Sequence, residues 1–251
     1  RWALHDVSTT AKKDGAGYVL SGQKAVVLGA PQADTLLVSA RTGGGQRDAK
    51  GISLFLVPKN AKGVTTRDYP TMDGTRASEV YFENVSVGAD ALVGAADGAL
   101  PLIEKLIDEA NTAHCHEAVG CMRMMTDSTR EYAKTRKQFG RAIAEFQVLQ
   151  HRMVDMFMAT EESVSIALLA TLKLDAVDVE RAKAVSAAKV SIGRAGRFVG
   201  QAAVQTHGGM GVTEEMRVGH YFKRVTMLDS TYGNVDYHLK RYAAQTAKAA
   251  A

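Results

Sequence analysis

Gln205-Thr206-His207-Gly208-Gly209-Met210-Gly211 closes one long helical pattern, and Arg136-Lys137-Gln138-Phe139-Gly140 closes an earlier one. A helix terminus leaves backbone groups free. The glycines let such groups approach a ligand closely, beside the side-chain amide of Gln205. Arg136 and Phe139 set a guanidinium next to an aromatic ring, a pair suited to holding a phosphate and covering a flat heterocycle. The two segments point to a dinucleotide held between helix ends, outside any Rossmann unit.

Around these ends the periodicity is helical. Helices are expected from Ala99 to about Arg136, from Ala144 to Leu174 and from Val179 to Thr206, with a last one from Asp236 to Ala249 after a loop. In the second, Phe146, Leu149, Met153 and Met156 step by three and four; in the third, Val185, Ala188, Ile192, Ala195, Val199 and Ala202 share one face. Gly193, Gly196 and Gly200 allow a neighbouring helix to come close. The methionines at 122, 124, 125, 153, 156 and 158 read as core filler.

Upstream, from about 5 to 95, the pattern is strand-like. Tyr18 to Leu20, Ala25 to Leu28, Thr35 to Ala40, Ile52 to Val57, Gly63 to Tyr69 and Glu79 to Val85 are short β-rich runs. Asp14-Gly15, Ser21-Gly22, Gly43-Gly44-Gly45 and Asp73-Gly74 read as the turns between them. The fold class is therefore α+β: an antiparallel β-barrel or sandwich over 1–96, then a four-helix bundle over 97–251. The chain opens at Arg1 in strand-like sequence with no initiator Met, which reads as a piece whose N-terminal part is missing.

The net charge of +4 is spread thinly, with no long basic run and no interleaved aromatics, so nucleic acid is not an expected partner. The same charge suits an anionic, phosphorylated ligand. No apolar run is long enough to span a membrane. Cys115 and Cys121 are the two cysteines. They fall on different faces of one helix, which argues for reduced thiols and a cytoplasmic protein, with no metal site.

With strands first and helices second, the chain resembles the acyl-CoA dehydrogenase family over essentially its whole length. Three motifs carry the resemblance: Gly17-Tyr18-Val19-Leu20-Ser21-Gly22-Gln23-Lys24, similar to a central hairpin; Arg136-Lys137-Gln138-Phe139-Gly140 with Phe146-Gln147; and Gln205 with Gly208-Gly209-Met210-Gly211. The family's first helical domain has no counterpart here. The resemblance implies FAD, with Arg136 at the pyrophosphate, Gln138 and Phe139 beside it, Gln147, Gln205 and Gly209 on the adenosine side, and Gly208 in the same cofactor-binding glycine loop. Since these segments reach a partner's flavin in the family, it also implies a homodimer or homotetramer, or a heteromer. An acyl-CoA substrate, an electron-transfer flavoprotein as acceptor and a place in fatty acid metabolism follow from the same source. On its own, Arg136 is also a helix C-terminal charge offsetting the macrodipole, and Gly208 a helix cap.

Departures from the family concern the chemistry. The resemblance implies a hydride leaving Cβ for the flavin and a carboxylate taking the α-proton. The usual place of that carboxylate is Tyr232, followed by Gly233, and a phenol is a poor base at neutral pH. The alternative place, on the first bundle helix, is Ala110, followed by Asn111; Glu109 is out of register by about 100°. Asp229, Asp236 and Glu117 remain nearby. Asp236 follows Tyr232 by one helical turn and is also placed to cap the last helix. Glu117, among His114, Cys115 and His116, is either a paired structural group or a tuned acid/base. Ala25-Val26-Val27-Leu28 lacks the hydroxyl that would face the flavin ring. Two functions stay open: a dehydrogenase with an atypical base (Asp236 or Glu117), or a non-catalytic subunit completing a homologue's FAD site. An oxygen-using relative of the same fold is a third.

Overall fold

The computed structural model describes residues 2–250. The chain divides into two compact units, Arg1–Leu106 and Ile107–Ala251.

The first unit is one seven-stranded sheet in the order β5-β6-β2-β1-β3-β4-β7. Its strands are β1 (Thr10–Asp14), β2 (Gly17–Leu28), β3 (Thr35–Arg41), β4 (Ile52–Pro58), β5 (Val64–Pro70), β6 (Arg76–Val87) and β7 (Leu92–Val93). Every ladder is antiparallel except β1 with β3, which touch in parallel at Thr10 and Arg41, so the sheet is mixed. Alternating residues of these strands bury Leu20, Val38, Phe55, Val57, Val80, Phe82 and Val85 as one core.

Ser21-Gly22 is not a turn. It lies inside β2, where the register against β6 shifts, so the runs expected at 18–20 and 25–28 are one bulged strand. The chemistry that suits a turn also suits a bulge, and sequence cannot separate the two. At the far end of β2, Val26 has φ 53° and donates its N–H to Glu79 at 3.3 Å.

The helices are α1 (Leu100–Thr135), α2 (Gln147–Leu172), α3 (Asp178–His207), α4 (Arg217–Ser230) and α5 (Val235–Ala250), with a small hairpin, β8 (Lys137–Gln138) and β9 (Arg141–Ala142), between α1 and α2. In α1 the buried face runs Asp108, Asn111, Cys115, Ala118, Met122, Met125, Thr129 and Ala133, the three-and-four spacing of a core stripe. Met122, Met125 and Met156 are fully buried filler, while Met124 and Met158 face outward. The α3 stripe packs as expected through Val185, Ala188, Ile192, Val199 and Ala202.

The sequence pattern predicts a loop where α4 stands. It buries only Val218, Val225 and Leu228, and its Gly219 and β-branched residues are poor helix formers. Packing supplies what propensity lacks. A Cβ at Gly196 would run into Val225, and one at Gly200 into the Phe222 ring. The small residues of α3 therefore admit a fifth helix beside those the sequence announces.

Beneath this packing lies a charged lock. Asp108, fully buried, binds Arg181 at 3.3 Å and Arg241 at 2.5 Å, and Arg181 also holds Asp178 at 2.8 Å. The partners lie on α1, α3 and α5, so one carboxylate ties three helices together.

Candidate functional site

Arg136 follows the last residue of α1, its N–H still bonded to the Tyr132 carbonyl at 2.8 Å. The chain then reverses through β8 and β9. Phe139 and Gly140 form the two-residue turn with φ 55° and 84°, both in the left-handed region that such hairpins require. This turn leaves Phe139 92% exposed. Behind it, Phe146 meets the edge of Phe139 at 6.1 Å and carries the Arg141 guanidinium 4.2 Å above its face.

The end of α3 faces this hairpin. Gly208 terminates the helix with φ 62°, and a tight turn over Gly208–Val212 follows. Between the two helix ends lies a groove of about 730 Å³, and Arg136, Gln138, Phe139, Gln205, Gly208 and Gly209 all line it. Tyr132, Arg152 and His207 line it as well. The His207 ring stacks on Tyr132 at 4.3 Å, and its Nδ1 lies 2.8 Å from the Ala203 carbonyl. A carbonyl only accepts, so Nδ1 carries the proton. Gln147 is exposed at the start of α2 and does not line the groove.

Among the described residues, the side chains of Arg136, Arg152 and Gln205 have no hydrogen-bond or ionic partner, and no carboxylate lines the groove. A Cβ at Gly208 or Gly209 would meet nothing within 4 Å. The φ at 208 demands glycine; no packing among the described residues demands it at 209. Two guanidiniums, a free amide, an exposed aromatic ring and an open glycine wall make up a donor set whose chemistry suits a phosphorylated, flat ligand.

Tyr132 precedes Arg136 by one helical turn and so shares its face, a spacing that sequence carries. Arg152 lies on the face of α2 shared with Val148 and Leu149. Neither residue belongs to the quoted motifs.

The chemistry-side residues are distributed differently. Glu117 is exposed on α1 and paired with Arg224 of α4 by two contacts, at 2.5 and 2.9 Å. It is a paired group, not a buried acid among histidines. Asp236 is exposed in the first turn of α5. It does not cap that helix: the Asn234 Oδ1 does, accepting from the Tyr237 N–H at 3.0 Å. Tyr232 has φ 55°, and its ring lies parallel to His114 with centroids 5.5 Å apart. Burial, and then the nearby Lys189 charge, push the His114 pKa below its ordinary value, which keeps the imidazole neutral at pH 7. Both cysteines are free, and burial pushes the Cys115 thiol up to about 12, so it is no nucleophile.

No group of three or more His, Cys, Asp and Glu placed to hold a metal occurs among the described residues. Among them, too, no helix is long and apolar enough to cross a membrane.

Comparison with known proteins gives two family matches: "Acyl-CoA dehydrogenase, middle domain" over residues 3–85 and "Acyl-CoA dehydrogenase, C-terminal domain" over residues 100–247. The 3-(aryl)acrylate reductase of Clostridium sporogenes is 28% identical over 225 residues, covering 88% of this chain and 59% of that protein. The short-chain specific acyl-CoA dehydrogenase of Clostridium acetobutylicum is 32% identical over 218 residues, 84% of this chain and 56% of its own. A solved structure described as an FAD-dependent dehydrogenase superposes with TM-score 0.90 at 27% identity, covering 96% of this chain and 66% of its own. The chain thus spans under two thirds of the length of the curated relatives it matches.

Proposed function

The chain belongs to the acyl-CoA dehydrogenase family, and on that premise we propose that it is the middle and C-terminal part of a FAD-dependent enzyme that desaturates an acyl-CoA thioester between Cα and Cβ. The observation that carries this reading is the groove, where partnerless cationic and amide side chains stand around an open glycine wall. FAD fits that donor set. Arg136, with Arg152 behind it, would hold the pyrophosphate, Phe139 would cover the flat part, and Gln205, Gly208 and Gly209 would receive the adenosine. A bound FAD supplies the acceptor for the hydride that leaves Cβ. The exposed Phe139 turn suits a flavin shared with a neighbouring subunit, hence a homodimer, homotetramer or heteromer. An electron-transfer flavoprotein is the acceptor proposed for the electrons.

The α-proton needs an acceptor. Glu117 is committed to Arg224, which leaves Asp236 as the better of the two carboxylates. Reaching a thioester from its present place would require the loop before α5 to rearrange.

That difficulty favours a second reading, in which the chain lends its groove to a catalytic homologue and does no chemistry itself. The two separate cleanly. The protein is purified alone, its visible flavin spectrum recorded, and bleaching followed under anaerobic addition of an acyl-CoA panel. Retained flavin that bleaches supports the enzyme; flavin that appears only after a homologous subunit is added supports the lending role. If bleaching occurs, an unchanged rate in both Asp236→Asn and Glu117→Gln rejects both carboxylates.

A further inference from the structure

The last carbonyls of a helix are ordinarily left to water or to a glycine cap. At the end of α4 and in the two residues just beyond it, the carbonyls are held by two buried side chains from other helices. Lys189, in the middle of α3 and 4% exposed, donates from Nζ to the carbonyls of Leu228 at 2.7 Å and Thr231 at 3.0 Å, with that of Asp229 at 3.4 Å. His238 of α5, fully buried, lies with Nε2 3.2 Å from the Tyr232 carbonyl and Nδ1 3.4 Å from the Ser186 hydroxyl. A carbonyl only accepts, so Nε2 carries the proton and Nδ1 accepts from Ser186.

Four carbonyls between residues 228 and 232 are thereby captured from two sides. Tyr232 itself sits at φ 55°, which, outside a two-residue hairpin turn such as that of Phe139, an aromatic residue keeps only with support from its surroundings. Gly233, at φ 116°, packs so closely that a Cβ would meet His238 Nε2 at 2.7 Å.

We propose that Lys189 and His238 are positioning residues that lock the loop between α4 and α5, so that Tyr232 is held stacked on His114. Its importance for proton transfer rests on the dehydrogenase reading above; the lock itself does not. The lock opposes the rearrangement that Asp236 would need, so Tyr232 and its neutral partner His114 are the groups presented at that place.

The test uses the whole protein labelled with 3-fluorotyrosine, its Tyr232 line identified by its loss in Tyr232→Phe. In the unsubstituted protein the line is expected to be sharp and displaced from free tyrosine by the His114 ring. Lys189→Met and His238→Leu should each move it most of the way to the free position, while circular dichroism stays native. His238→Gln, which keeps an N–H donor, should restore it. A Tyr232 line unmoved in folded Lys189→Met and His238→Leu overturns the proposal. Should either variant fail to fold, Lys189→Ala or His238→Ala, which likewise remove the donor, is read in its place. With an acyl-CoA that bleaches the flavin, Lys189→Met should change kcat at least tenfold with KM within twofold: a fall where the held Tyr232 takes part, a rise where the lock restrains Asp236. If no acyl-CoA bleaches it, the dehydrogenase reading fails while the fluorine result still decides the lock.

Discussion

The groove between the ends of α1 and α3 and the loop after α4 are built from similar residues that face opposite ways. Around the groove, Arg136, Arg152 and Gln205 have no partner within the described chain, and the glycine wall is open. Around the loop, Lys189 and His238 are fully engaged and buried. A buried polar group must find its partner inside the fold, whereas a donor set kept open at a helix end is addressed to something the chain does not contain. The first region has the make-up of a receptor and the second that of a scaffold. The same substitution should therefore cost stability in one and ligand affinity in the other.

The largest effect is expected deep in the scaffold. Asp108→Asn leaves Arg181 and Arg241 without their shared carboxylate, and should lower unfolding stability by about 3–5 kcal/mol in urea titration. A loss under about 1 kcal/mol would mean the helices do not depend on that lock.

Next comes pH. Burial, then the Lys189 and Arg241 charges, push the His238 pKa down to about 3 from an ordinary 6.5. The unfolded chain therefore binds a proton that the folded one refuses. Stability from this residue is full above about pH 6.5 and falls, as pH drops towards 3, by about 1.4 kcal/mol per unit. Urea midpoints at pH 7 and pH 4.5 should differ more in the unsubstituted protein than in His238→Gln.

A pair of glycine substitutions compares the regions directly. Gly196→Ala drives a methyl into Val225 and should cost about 1–3 kcal/mol. Gly209→Ala meets nothing within 4 Å and should change stability by under about 0.5 kcal/mol while weakening FAD binding. Thermal melts and flavin titration of the two variants settle it; equal melting losses would erase the distinction.

What sequence revealed follows the same division. The groove is assembled from short segments whose motifs are local, so Arg136, Phe139, Gln205 and Gly209 were legible, and only Gln147 falls outside. Tyr132 was within reach through its helical spacing to Arg136. The scaffold is made of distant pairs. Lys189 meets Leu228 across 39 residues, and Arg241 meets Asp108 across 133. No spacing rule connects them. Helix α4 was hidden because packing against the α3 glycines, not propensity, makes it helical. For Glu117 the sequence left a paired structural role and an acid/base role open for the same reason, since its partner Arg224 stands on that helix.

The central claim is that the groove, and Arg136 in particular, holds a flavin dinucleotide. Arg136→Ala should leave the melting temperature within a degree or two, because the side chain has no partner to lose among the described residues. Losing a charge-assisted contact worth about 1.5–3 kcal/mol should weaken FAD binding by roughly ten- to a hundredfold. The decisive measurement is FAD titration of the unsubstituted protein and Arg136→Ala side by side, with melting followed in the same samples. A large affinity loss at unchanged stability is the predicted result; equal FAD affinity in the two proteins would contradict the account.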